Sequence, residues 1–486
     1  MAEVLAAAGV PLQEDRARAV LGAPIGGDPV ALAEAALDVA ERHAPFFQRL
    51  ATDKLSVQEA LQLLRVCGVP KLTYLLRCAR PSVTQGAALR FDELVSRALW
   101  RILGVHAMEL PPEAIDQAGL PISHGGLGIF RAEMLAPLAW VAAQAQAAPF
   151  LRGAGLSTTE QRLAESKRAW DAITQSCGAD AAALLPMPCL DSDRDLAPFV
   201  ADPTDAIRLQ HKLSVMQHDR SFDALLPPLG ARDVDRARLL AVSAHGAGMW
   251  LYAVPTHSQT RLDNDSFRRA VRLRLGLLPV RFMPSHCRPC GVGAGSFQAD
   301  PWHALSCAHL KSTVLTHRHD MVVRLLSQWI RRLGGLTIVE PQPERGDGSR
   351  RRPDLDVTIG GRRFLVDVSI RHPTAPSRVA RAATGPPLVT AERGAREKTL
   401  YHGPSVAAMH PPAEFVPFVL ETYGGLASQA AAFIKTVITA TAQLAYVWAP
   451  PEIIHGLPYA IAVAVQRLNS RACAACLRST FDAIPA

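Results

Sequence analysis

Arg352-Pro353-Asp354-Leu355-Asp356-Val357-Thr358-Ile359-Gly360-Gly361-Arg362-Arg363-Phe364-Leu365-Val366-Asp367-Val368-Ser369-Ile370 is the stretch on which the reading of this chain turns. Alternating and β-branched residues at 355–359 and 364–370 predict two strands, and the Gly-Gly pair between them predicts a tight hairpin turn. Asp354 then stands at the mouth of the first strand and Asp367 inside the second. Two carboxylates on adjacent strands can share a hard divalent cation through oxygen ligands. Mg²⁺ held in this way activates water and neutralises charge on a phosphate, which suits phosphodiester cleavage. Asp367 is the more telling of the two. An ionised carboxylate within Phe-Leu-Val-Asp-Val-Ser-Ile is costly unless it is paired, bound to metal or turned to a solvated face. Asp354 beside Pro353 also has a plain reading as turn chemistry.

Working outward, Val322, Leu325, Leu326, Trp329, Ile330 and Leu333 fall at helical spacing and predict a helix over 312–333, stopped by Gly334-Gly335. A strand at 336–340 precedes an Arg/Gly loop and the hairpin. A Pro-rich loop at 373–387, a charged helix at 389–401, a strand at 415–421 and a long apolar helix at 426–448 follow. The order α-β-β-β-α-β over 312–421 predicts a mixed sheet flanked by helices. Glu340, closing the strand before the hairpin, is a candidate third carboxylate. Lys398, on the charged helix, is a candidate to orient or deprotonate water or to stabilise developing charge. Both residue types are also common on solvated faces.

Upstream, Cys287-Arg-Pro-Cys290 is followed by His303 and Cys307, at intervals of two, twelve and three residues. A Cys-x-x-Cys knuckle joined to a His-x-x-x-Cys step can close a tetrahedral Zn²⁺ site, and four protein ligands make such a site structural. His286, His309 and His317 are alternative imidazoles. Cys473-Ala-Ala-Cys476 has no second half nearby and reads as small buried residues on a helix.

The whole chain has 486 residues, a net charge of +8, 49% hydrophobic and 20% charged residues, which predicts several folded domains and excludes bulk disorder. The positive balance is mild, but Arg331-Arg332, Arg350-Arg351-Arg352 and Arg362-Arg363 border the proposed site and are candidates for phosphate contact. No apolar run is long enough for a membrane span, and the N-terminal residues show no secretory pattern. The nine dispersed cysteines favour reduced thiols and a metal site over disulfides. Five regions are expected: a helical region at 1–150, a helical linker region at 151–280, a zinc knuckle at 281–311, an α/β domain at 312–450 and a C-terminal tail at 451–486.

The ordered motifs resemble the C-terminal region of non-LTR retrotransposon polyproteins, in which a Cys-Cys-His-Cys zinc motif precedes a restriction-enzyme-like PD-(D/E)xK endonuclease. The matching residues are Cys287, Cys290, His303 and Cys307, then Arg318-His319-Asp320, Glu340-Pro341, Arg352-Pro353-Asp354, Asp367-Val368-Ser369, Arg396-Glu397-Lys398-Thr-Leu-Tyr401 and Glu421-Thr-Tyr-Gly-Gly425. Leu21-Gly-Ala-Pro-Ile-Gly26, Ala60-Leu-Gln-Leu-Leu-Arg65, Tyr74-Leu-Leu-Arg77 and Leu120-Pro-Ile-Ser-His-Gly-Gly-Leu-Gly128 are similar to the same polyproteins after the polymerase active site. The resemblance implies an all-α reverse-transcriptase thumb/connection-like half, a small zinc knuckle and an α/β restriction-endonuclease-like domain. It implies a nuclear protein that nicks target DNA to prime reverse transcription and meets element RNA. Asp354 and Asp367 would hold catalytic Mg²⁺, assisted by Glu340 and Lys398, with structural Zn²⁺ upstream. Arg318, His319, Arg350, Arg351 and Arg352 would contact nucleic acid.

Three departures qualify the resemblance. No Asp-Asp doublet occurs in the chain, so polymerase activity is not expected of it alone. Ser369 stands two residues after Asp367, where many such nucleases carry lysine, leaving that role to Lys398. Leu400 precedes Tyr401 where a basic residue is common. A second reading therefore stands beside the nuclease: a catalytically inactive nucleic-acid-binding retroelement remnant. A third is a helical scaffold whose Cys/His cluster only staples the fold.

Overall fold

In the computed structural model the described residues are 17–52, 54–153, 160–178, 203–281, 283–293, 300, 302–341, 352–407, 409, 411–442 and 450–477. The first half is helical except for one hairpin that the sequence reading did not anticipate. Strands β1 (Arg18–Val20) and β2 (Ala23–Ile25) pair antiparallel. Leu21 and Gly22, at φ 51° and 85°, close a two-residue turn of the kind hairpins favour. The helix expected over 29–50 is two helices. The first is α1 (Pro29–Glu41), started by the Asp28 carboxylate accepting from the Val30 and Ala31 amides. Pro45 lies in the first turn of the second, Ala44–Leu50, where its missing N–H costs nothing.

The longer helices that follow are α2 (Pro81–Leu103), α3 (Ala132–Gly153), α4 (Glu160–Cys177), α5 (Pro203–Leu225), α6 (Asp233–Ser243) and α7 (Asn264–Leu275), with shorter ones at Val57–Leu63, Thr73–Cys78, Pro112–Gly119 and Met249–Tyr252. The apolar faces of α1, α2 and α7 meet in a core that includes Phe47, Phe91, Leu99, Trp250 and Phe267, whereas α4 and α5 pack on α3 in a second core around Trp170 and Leu213. The Leu120–Gly128 phrase forms a loop around buried Arg274. That guanidinium donates to the carbonyls of Ile122, Gly126 and Val242 at 2.6, 3.0 and 3.1 Å. Gly126 has to be glycine, because a Cβ there would lie 2.0 Å from the Leu120 carbonyl oxygen.

The second half is built on a four-stranded mixed sheet. After α8 (Thr316–Arg332) come β3 (Leu336–Val339), β4 (Leu355–Ile359) and β5 (Arg362–Arg371). They are followed by α9 (Val389–Ala407), β6 (Glu414–Glu421) and α10 (Ser428–Ala442). Strand order is β3-β4-β5-β6, with the first two pairings antiparallel and β5–β6 parallel. Gly360 and Gly361, at φ 56° and 73°, make the turn between β4 and β5. A parallel pair needs a crossover, and α9 lies in it. Strand alternation divides the sheet into two faces. Leu355, Val357, Phe364, Val366, Val368, Val416 and Phe418 pack with α8 and α10. Leu365 and Val419 pack under α9, against Val406 and Ala391.

The segment expected as a tail carries α11 (Leu457–Leu477), a helix that enters three cores. Ala462 and Val463 join the N-terminal core, Ile461 and Val465 the sheet core, and Cys473 and Cys476 the core around the Cys/His cluster. Most residues of the helix are buried, while Arg471 is exposed. Asn469 fastens it to the sheet, donating to the Thr422 carbonyl at 2.8 Å. No helix among the described residues is long and apolar enough to cross a membrane.

Candidate functional site

Asp367 is 6% exposed, in the middle of β5 on the face covered by α9. Lys398 Nζ lies 2.5 Å and His402 Nε2 3.2 Å from its Oδ2. Positions 398 and 402 are four apart, so one helix face carries both. Burial alone would raise the Asp367 pKa, but His402 and Lys398 outweigh it and hold the carboxyl below its ordinary value. His402 is itself positioned by stacking on Phe415, with ring centroids 5.0 Å apart. The sequence reading missed His402; its signal was the helical spacing from Lys398.

Asp354 precedes β4 and is tied to β5 on both sides of Asp367. Its amide donates to the Val366 carbonyl at 3.0 Å, and its Oδ2 accepts from the Val368 amide at 2.5 Å. The carboxylate therefore lies alongside the main chain that carries Asp367. His319 Nε2, from α8, is 3.1 Å from the same oxygen, and His319 Nδ1 is 3.1 Å from Asp320. Burial disfavours protonation of His319, but Asp354 and Asp320 outweigh it and raise its pKa to about 9. Asp354 is thus engaged from α8 and Asp367 from α9, while the register Leu355↔Val366 sets positions 354 and 367 across from one another.

A cavity of about 410 Å³ opens over Asp367, lined also by Arg352, Arg371, Glu397, Lys398, Tyr401 and His402. Glu340 follows β3 at φ 48°; its amide donates to the Asp354 carbonyl at 2.9 Å, and its side chain is exposed. Arg350 and Arg351 lie outside the described residues. Arg318 is 4% exposed and donates to Asn469 Oδ1 at 2.6 Å, so it stitches α8 to α11. Arg331 bonds Thr337, Arg362 pairs with Glu414, and Arg363 pairs with Asp356. Another cavity, of about 870 Å³, lies in the first half beside Phe130, Met134 and His218 and contains none of these residues.

The Cys/His cluster forms as its spacing implies. Single ligand atoms of Cys287, Cys290, His303 and Cys307 lie within 4.8 Å of one another. Cys287 and Cys307 sulfurs are 4.0 Å apart, and Cys290 Sγ is 3.2 Å from His303 Nε2. A tetrahedral ion with Zn–S bonds of about 2.3 Å sets its sulfurs roughly 3.8 Å apart, so the donor set and spacing fit. Burial pushes the Cys287 thiol up to about 11, so its thiolate, the ligating form, calls for a neighbouring cation. Cys476 on α11 reaches the edge of this cluster, its sulfur 3.3 Å from Cys287 Sγ, a contact 189 residues apart in sequence. Among the described residues this is the one compact group of three or more metal-ligating side chains. Asp354 and Asp367 belong to no such group among the described residues.

No family model matches the chain. It is similar to the retrotransposable element SLACS 132 kDa protein of Trypanosoma brucei gambiense, with 24% identity over 385 residues, covering 78% of this chain and 26% of that protein. Two Pol polyproteins from type-1 retrotransposable element R2 of Popillia japonica also match. One is 36% identical over 110 residues, covering 21% of each chain; the other is 31% identical over 140 residues, covering 28% of this chain and 30% of that one. The chain spans less than a third of the length of these relatives.

Proposed function

We propose that this chain, related to retrotransposon proteins, carries a metal-dependent DNA endonuclease module that nicks target DNA for primed reverse transcription, and that it has no polymerase centre of its own. The observation that carries the reading is the buried Asp367 with Lys398 and His402 converging on it, under an open cavity and beside the tethered carboxylate of Asp354. The α-β-β-β-α-β order with a parallel β5–β6 pair agrees with a restriction-enzyme-like domain.

Asp354 and Asp367 would hold Mg²⁺, with Glu340 near enough in the chain to assist. When bound, the cation supplies Lewis-acid polarisation of the scissile phosphate. Asp367, kept ionised by its neighbours, presents a carboxylate to the cavity. Lys398 orients the attacking water or stabilises charge developing on the phosphate. Arg352, at the cavity rim, contacts a phosphate and sets the strand's position. His319 holds Asp354 in place and faces the nucleic acid from α8. Cys287, Cys290, His303 and Cys307 hold a structural Zn²⁺, which fixes the knuckle against α11. DNA is the substrate, element RNA a second partner, and the nucleus the site of action.

One observation favours the remnant reading: each carboxylate is already engaged, Asp367 by Lys398 and His402, Asp354 by His319, and among the described residues they form no compact group of three metal-ligating side chains. Incubating the zinc-loaded full chain with end-labelled duplex DNA, in Mg²⁺ or in EDTA, separates the two. Strand cleavage in Mg²⁺ alone supports the nuclease. Salt-sensitive binding without cleavage supports the remnant.

A further inference from the structure

We propose that a notch between the first turns of α9 and the loop after β5 is a binding subsite for a backbone phosphate of the DNA, flanking the cleavage site. Arg371, Arg378, Arg381 and Arg393 line a cavity of about 180 Å³ together with Thr390 and Glu397. Four guanidiniums face one carboxylate there. Glu397 is shared, with Arg393 Nε at 2.7 Å and Arg371 Nη2 at 3.5 Å, and it leaves the lining with a surplus of positive charge. Like charges gathered in a partly enclosed space repel one another, and an anion of matching shape relieves that repulsion. Arginine is the residue suited to this task, since its planar fork pairs with two phosphate oxygens at once.

The backbone makes room for the arrangement. Gly394 lies under the Arg371 side chain, and a Cβ there would stand 3.1 Å from Arg371 Nε and 3.2 Å from Val419 Cγ1. Arg371 is held over α9 by a bond from its Nε to Ser369 Oγ at 3.1 Å. Thr390 and Arg393 lie in the first two turns of a helix of 19 residues, so the positive end of the helix dipole adds to the field. Half-buried Arg378 has its pKa lowered by burial and by the charge of Arg371, a cost that a bound phosphate would offset.

The position gives the subsite its meaning. Arg371 and Glu397 also line the cavity over Asp367, so notch and cavity adjoin. Gly394 and Lys398 are separated by about 6 Å of helix rise, less than two base steps of roughly 3.4 Å. A strand with one phosphate in the notch would present a near neighbour to Asp367 and Lys398. Only this last placement rests on the nuclease reading; the phosphate contact stands without it.

Fluorescence anisotropy with the zinc-loaded full chain and a short DNA duplex, in EDTA over a range of salt, tests the subsite without cleavage. Arg381→Gln, at an exposed side chain, and the double variant Arg378→Gln/Arg393→Gln are compared with the parent, with circular dichroism confirming the fold. The expected result is about tenfold weaker binding for the double variant. Its log–log salt slope should be shallower by about one, with a smaller change of the same kind for Arg381→Gln. Unchanged affinity and slope in both variants would overturn the subsite, whether or not the parent cuts DNA. Notch-dependent binding by a parent that fails to cut in Mg²⁺ would uphold the subsite and remove the nuclease reading. Notch-dependent binding of single-stranded RNA in preference to the duplex would overturn the assignment to DNA.

Discussion

Lys398 Nζ and Asp367 Oδ2 lie 2.5 Å apart, joining α9 to β5 across 31 residues of sequence. The pair is largely withdrawn from water, with side-chain exposures of 20% and 9%. A buried carboxylate of this kind survives because it is paired. The same pairing places a cation donor beside the atom that would meet the phosphate. Lys398→Met should lower nicking by about a hundredfold or more, as loss of a preorganised charge-stabilising donor does. DNA affinity measured in EDTA should change little, since other arginines hold the strand. His402 still engages Asp367 in this variant, which limits the stability loss to about 1–3 kcal/mol. Cleavage assays and thermal melts on the same preparation check both parts.

Glu421 predicts a pH dependence of stability. Its carboxyl is 1% exposed at the end of β6, and burial raises its pKa to about 8 despite a bond from the Ala391 amide at 3.2 Å. A raised pKa means the folded state binds the proton more tightly than the unfolded chain. The associated stability is complete below the ordinary value of 4.5 and is lost as pH rises through about 8. Chemical denaturation of Glu421→Gln should therefore show less decline than the parent across that window, and equal or greater stability at its upper end.

The Cys/His cluster predicts a division among the cysteines. Cys287→Ser or His303→Ala should abolish zinc retention, measured as metal per chain by mass spectrometry. Cys476→Ala should keep one zinc, because Cys476 approaches from α11 and lies outside the set of four. Cys287 and Cys307 are fully buried in the core that also holds Trp302 and Cys473, so stripping the metal should lower the melting temperature of the chain.

Arg274 predicts a structural phenotype far from the cavity. Its guanidinium serves three carbonyls at once and is buried at 2% exposure. Arg274→Met removes those donors and should cost about 3 kcal/mol or more in denaturant unfolding, with the Leu120–Gly128 loop losing amide protection first.

What the sequence disclosed, and what it withheld, follows from the range of the interactions. The hairpin was legible because period-two alternation and the Gly360-Gly361 turn are local signals. The ordered cluster Cys287, Cys290, His303, Cys307 was legible because its spacing is nearly contiguous. Lys398 could be named from its helix, but His402 needed the helix rotated onto β5 before its role emerged. Arg371, Arg378, Arg381 and Arg393 belong to three elements whose meeting no spacing announces. Arg318 was expected to contact nucleic acid and is buried against Asn469, whose helix lies 151 residues away. That helix itself was expected as part of a tail, since its alanine-rich pattern gives no clue to how many cores it enters.

The most direct test is the rate at which the zinc-loaded full chain converts supercoiled plasmid to open circles in Mg²⁺, for the parent and for Asp367→Asn at matched DNA affinity. The account predicts nicking by the parent and none above the EDTA background by the variant, with zinc content and fold unchanged. Equal rates for the two proteins would contradict it.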